Sequence, residues 1–146
     1  MITNDDIGWL RARWPTAAAV VLLLVTLALL DATQRGTGQT DSIVQPWVVL
    51  AAGLVYPVVG LGRRVLRDGR TVLVQSLGLL VFAGVTLLGY AAGPFTAYVV
   101  AAGLIAHAGW DAVHHRRNAV VWRWYAELCA VYDLLLATAV LTAATL

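Results

Sequence analysis

The sequence predicts an all-α integral membrane protein, a single transmembrane domain over residues 1–146 that bundles about five helices. Three observations carry that prediction. Hydrophobic residues make up 60% of the chain and charged residues only 12%, about half the charge of an ordinary soluble domain. The apolar residues gather into five stretches, each approaching the ~20 residues that cross a bilayer core. The basic residues are arginines without a single lysine, and they sit at or near the ends of those stretches.

The first stretch covers residues 15–30. It follows a polar segment containing Asp5 and Asp6 and lacks a clear small-residue cleavage site, so it reads as a span and not as a signal peptide. Residues 31–45, rich in Gly, Thr and Gln, read as an exposed loop. The second stretch, 46–62, contains Pro57, which should kink it and turn Tyr56 toward a pocket. Four arginines follow in 62–70. The third stretch, 71–91, and the fourth, 93–115, meet at Ala92-Gly93-Pro94, a tight turn that predicts an antiparallel helical hairpin. Gly78, Gly84, Gly89 and Gly103 allow close packing there. Arg116-Arg117-Asn118 leads into the fifth stretch, 120–146.

Alternate connections carry the positive charge. Arg11 and Arg13 precede the first stretch. Arg63, Arg64, Arg67 and Arg70 join the second and third. Arg116, Arg117 and Arg123 join the fourth and fifth. In a five-span chain these fall on one side and only Arg35 falls on the other. The positive-inside rule then places the N-terminus in the cytoplasm and the C-terminus outside. A four-span chain breaks this agreement unless the first segment lies flat on the membrane. Trp14, Trp47, Trp122 and Trp124 fall near segment starts, where an interfacial aromatic belt belongs. The expected partner is the lipid bilayer. An excess of Ala, Val, Leu and Arg suggests a GC-rich bacterial genome and a bacterial inner membrane.

Composition also excludes function classes. Without lysine there is no retinal Schiff base. With Cys129 as the one cysteine there is no intramolecular disulfide, no Cys-x-x-Cys-His haem attachment and no dithiol redox pair. Net charge is only +2, with no basic stripe interleaved with aromatics, so no nucleic acid is expected as a partner.

The chemistry-bearing residues gather in the fourth and fifth stretches. All three histidines lie in His107-Ala-Gly-Trp-Asp111-Ala-Val-His114-His115. On a helix His107, Asp111 and His114 stay within roughly 60° of one another, with His115 at the edge of that stripe. Imidazoles and a carboxylate inside a membrane are costly unless paired, metal-bound or used for proton chemistry. Counting ~1.5 Å per residue from the connection near residue 117 puts Glu127 level with His107, Arg123 level with Asp111, and Asp133 deeper, without a basic partner. The predicted metal ligands are His107, Asp111, His114, His115 and Glu127. Imidazole with carboxylate suits zinc, iron or manganese. Glu127 and Asp133 are the predicted catalytic carboxylates, with Gln75, Ser76 and Tyr56 available to line the same cavity.

The expected function is metal-dependent hydrolytic or oxidative chemistry on a lipid-like or isoprenoid substrate. His107-x-x-x-Asp111-x-x-His114-His115 resembles a fragment of the histidine boxes of membrane fatty-acid hydroxylases and desaturases. Those families carry several such boxes and this chain carries one, so a dinuclear site cannot be built here from histidines alone. Three alternatives stand beside that reading. One is metal-free acid–base or proton work by His107 with Asp111 or Glu127. Another is an ion- or proton-binding module in a homo-oligomer. The third is a structural subunit of a larger membrane complex, with which plain pairing of Arg123 with Asp111 and Glu127 would agree.

Overall fold

The computed structural model describes residues 4–37 and 44–146. The side chains of Asp5, Asp6, Arg11 and Arg35, and loop residues 38–43, lie outside the described residues. Five α-helices run in order: α1 Asn4–Thr37, α2 Trp47–Gly62, α3 Gly69–Ala91, α4 Thr96–Arg117 and α5 Arg123–Thr145. No strand occurs among the described residues. α2 to α5 end within three residues of the predicted limits. α1 is the exception. Its helix continues beyond the apolar stretch at both ends and takes Pro15 inside it, because apolar composition marks where a helix meets lipid and not where its hydrogen bonding stops.

By length and composition three helices are able to cross a membrane: Arg13–Ala32 within α1, then α3 and α5. α2 is a shorter apolar helix of 16 residues. Large apolar side chains point outward along these helices, with Leu29 62% exposed, Leu80 66% and Leu87 70%. A soluble monomer does not leave so much hydrocarbon uncovered, so the outer surface is that of a helical membrane protein.

α4 is the central helix. It packs on α5, α3 and α2, while α5 also packs on α1. Its buried side chains, from Val100 through Leu104, His107 and Asp111 to His114, recur every three or four residues and form one inward stripe. Val49, Phe82, Leu104, Leu136 and Val140 build one apolar cluster, and Tyr56, Val120, Val121 and Ala126 build another. Two glycines set how closely α4 sits on its neighbours. A Cβ on Gly78 would come within 2.8 Å of the Trp110 ring, and one on Gly103 within 2.8 Å of Val85.

The predicted hairpin between α3 and α4 is present. A single 3-10 turn, Gly93–Phe95, joins them, and Gly93 takes φ +54, a value that glycine reaches without steric cost. The connection between α4 and α5 is more consequential. Asn118 ends α4 in the left-handed conformation, φ 48 and ψ 44. Val120 follows with φ 66 and closes a γ-turn, Val121 N–H to Ala119 O at 2.8 Å. A positive φ is unfavourable for a β-branched residue. It is held here by burial of Val120 and Val121 and by Arg63, whose Nη1 donates to Val120 O at 2.7 Å. The Arg63 guanidinium also stacks 4.6 Å over the Trp122 ring. Trp122 stacks on Trp124, and Trp124 meets Trp14 of α1.

Candidate metal centre

α4 supplies His107 and Asp111 one turn apart, and α5 supplies Asp133. His107 Nδ1 lies 2.6 Å from Asp133 Oδ2 and 3.3 Å from Asp111 Oδ2. The first contact is a hydrogen bond and the second is out of line for one, so Asp111 Oδ2 is left without a hydrogen-bond partner. The other Asp111 oxygen accepts from the Tyr56 hydroxyl at 2.5 Å. Tyr56 is the residue before Pro57 in α2. A proline at that place cannot donate to the helix ladder. The expected pocket-facing Tyr56 is present, since it reaches across to Asp111 of α4 and lines a cavity.

The three side chains are almost completely enclosed, at 2% exposure for His107, 0% for Asp111 and 4% for Asp133. One donor atom from each lies within 4.8 Å of the others. His107 Nε2 is buried and has no hydrogen-bond partner. If the proton of the His107–Asp133 hydrogen bond sits on Nδ1, the Nε2 lone pair is free to accept a proton; an ion shared with both carboxylates would instead take that proton's place on the Nδ1 side of the ring. Phe82 and Tyr56 pack edge-on against the His107 ring, with centroids 5.0 and 5.9 Å away, and exclude water from it.

Of the ligands expected from the sequence, the structure brings together His107 and Asp111, and it adds Asp133. It does not bring in the other three. His114 has both ring nitrogens engaged: Nδ1 lies 2.9 Å from Trp110 O and Nε2 lies 3.0 Å from Gln75 Nε2. Its ring packs between those of Tyr56 and Trp110, tilted 58° and 42° from them. The His115 side chain is 40% exposed and its Nε2 is 4.0 Å from Glu127 Oε2. Glu127 in turn accepts from Thr16 Oγ1 of α1 at 3.0 Å. Arg123 donates from Nε to His115 O, so it is a cap on the end of α4 and makes no ion pair with Asp111 or Glu127 among the described contacts. Gln75 is buried against His114, and Ser76 is exposed.

The expected register between α4 and α5 is therefore corrected. His107 faces Asp133, six residues beyond Glu127. The residues from Asn118 to Trp122 fold across the end of the bundle and delay the start of α5. A count that treats them as a simple reversal puts Glu127 too deep.

The donor set fits a metal ion on grounds of charge. Two carboxylates and a neutral imidazole balance a divalent cation, and oxygen with nitrogen donors suits zinc, iron or manganese. Without an ion, the enclosed group reaches neutrality by carrying protons. No family model, no curated protein and no solved structure matches the chain.

Proposed function

We propose that this chain is a polytopic membrane protein whose buried His107–Asp111–Asp133 group holds one divalent transition-metal ion, in the manner of a small metal-dependent membrane enzyme. The observation that carries the reading is the convergence of two carboxylates on one imidazole nitrogen, at 2.6 and 3.3 Å, inside an apolar bundle. Burying such a group is costly unless its charge is neutralised in place. Tyr56 orients Asp111, as hydrogen-bond partners of metal ligands commonly do. A bound ion would act as a Lewis acid or activate water. Five spans, with the arginine-bearing connections in the cytoplasm of a cytoplasmic membrane, complete the proposal. The contacts of Trp14 with Trp124 and of Arg63 with Trp122 support it, because they gather those connections at one end.

The test is the metal content of the detergent-purified protein, measured by mass spectrometry beside Asp133→Asn and His107→Ala. A single ion per chain in the parent, lost in both variants, is the expected result. No ion in the parent after reconstitution with zinc, iron and manganese would sink the metal reading. The unbroken chain of contacts from Tyr56 through Asp111 and His107 to Asp133 favours the second reading, a metal-free acid–base group. In that case the Nε2 lone pair of His107 is the proton acceptor.

A further inference from the structure

The bundle has a side opening that leads to this group. α1 packs on α5, and among the described residues its backbone makes no close approach to α2. Between α1 and α2 lies a cavity of about 370 Å³. Leu22, Ala52 and Leu128 are among its walls, and Tyr56, His107 and Asp133 line it as well. Leu22 stands in the middle of the apolar span Arg13–Ala32, and Asp133 in the middle of Arg123–Thr145. In a membrane, a mouth at that level faces hydrocarbon and not water. Among the lining residues the buried Nε2 of His107 has no hydrogen-bond partner, whereas Tyr56, Tyr132 and Asp133 are partnered within the protein.

We infer that this cavity binds a single-chain amphiphile that enters from the bilayer between α1 and α2. Its hydrocarbon lies along Leu22, Ala52 and Leu128, and its polar end meets His107 and Asp133. The inference deepens the proposed function by naming the substrate class, and it rests on the helices spanning a membrane. Three features select this occupant. The opening is lateral, so a solute confined to water does not reach it. The cavity lies within the size range of pockets that enclose small ligands. Its walls are apolar and its polar groups are few and convergent, which is how a pocket fixes one end of a ligand while tolerating the length of the other.

The experiment uses the full chain in phosphatidylcholine liposomes with a diazirine-bearing palmitic acid as probe. After illumination the labelled peptides are mapped by mass spectrometry. The expected result is saturable labelling of the segments containing Ala52 and Leu128, lost in Ala52→Trp, which fills the cavity. Leu22→Trp, on the half-open α1 wall, repeats the test if Ala52→Trp does not fold. Excess palmitic acid or excess geranylgeraniol should displace the probe, and the more effective competitor distinguishes an acyl from an isoprenoid chain. Labelling that is uniform over the outward leucines of α3, unaffected by both variants and by both competitors, overturns the inference. Metal content is measured on the same samples. Ala52→Trp that keeps its ion but loses the label supports the inference, and a parent without metal that still labels at Ala52 separates failure of the metal reading from failure of this one.

Discussion

Asp133 reaches His107 from the neighbouring helix and closes a 2.6 Å contact between its Oδ2 and Nδ1 of the ring. Each residue is the other's means of tolerating burial. Among the described residues no arginine pairs with Asp133, and His107 has no solvent to carry its second nitrogen. Asp111, 3.3 Å from the same nitrogen, is held in turn by Tyr56.

That mutual dependence predicts strong coupling. Asp133→Leu leaves His107 without its partner, and His107→Leu leaves Asp133 as a lone enclosed carboxyl. Either loss belongs to the class that costs about 3–5 kcal/mol when one member of a buried pair is removed. The double variant should cost less than the sum of the two, with an interaction term of about 0.5–3 kcal/mol. Unfolding of the four proteins in mixed micelles gives the cycle directly. Additive losses would show that the two side chains are neighbours without being partners.

Tyr56→Phe isolates the hydroxyl. The ring contacts with His107, His114 and Trp110 are kept, and only the donor to Asp111 Oδ1 is lost. An enclosed acceptor left unsatisfied costs about 1–3 kcal/mol. If Asp111 ligates an ion, loss of its orienting partner should also weaken metal binding about 10–100-fold. Competition with a chelator of known affinity measures this. Unchanged affinity with reduced stability would assign the Tyr56 hydroxyl to satisfying buried Asp111 and not to orienting a ligand.

The helices of this bundle were legible in the sequence, and the site was legible in part. Apolar stretches and arginine-rich ends located α2 to α5 closely, because both signals respond to the bilayer. The stripe of His107, Asp111 and His114 was correctly placed on one helix, since helical periodicity is a local property. Partners across helices depend on how the chain turns between them, and nothing local announces that Asn118 and Val120 both take positive φ. That turn moved Glu127 to the edge, beside His115 and Thr16, and brought Asp133 to His107. A usable signal was present, however. Asp133 is flanked by Tyr132 and three leucines and had no cation at its depth, and a carboxyl in such a setting calls for a partner on the adjacent helix.

The turn itself is open to test. Asn118 has φ 48, a conformation that glycine adopts freely and that costs other L-residues roughly 1–2 kcal/mol. Asn118→Gly should leave stability unchanged or slightly raised, whereas Asn118→Val should lower it by about that amount. Thermal unfolding in detergent separates the two, and equal effects would mean that the conformation at 118 does not set the register of α5.

Close packing of α3 on α4 predicts a contrast between two glycines on one helix. At Gly78 a Cβ would lie 2.8 Å from Trp110, whereas at Gly84 it meets nothing within 4 Å. Gly78→Ala must displace the indole, and Trp110 packs against the His114 ring, so a loss of about 1–3 kcal/mol is expected. Gly84→Ala should be neutral or stabilising by up to about 1 kcal/mol, since alanine is the better helix former. Trp110→Phe should soften the Gly78→Ala defect and leave Gly84→Ala unaffected.

The proposed orientation makes a prediction about parity that does not depend on the site. α3, α4 and α5 separate Gly69 from Ala144, so if all three cross the membrane these positions lie on opposite sides. Both tolerate a probe, because a Cβ at Gly69 meets nothing and Ala144 is exposed. In a Cys129→Ser background, Ala144→Cys should react with a membrane-impermeant maleimide on intact cells. Gly69→Cys, beside the arginines of the α2–α3 connection, should react only after permeabilisation. Exchange of the two results would reverse the orientation while keeping three crossings. Reaction of both from the same side would mean that one of the three helices does not cross. α4 is the helix to suspect in that case, since it carries the enclosed His107 and Asp111 and is not among the helices apolar enough to span by composition. A crossing by α4 would rely on its neighbours to cover those groups, so the same labelling pattern in His107→Leu/Asp133→Leu would show that topology is set by the arginines and not by the buried site.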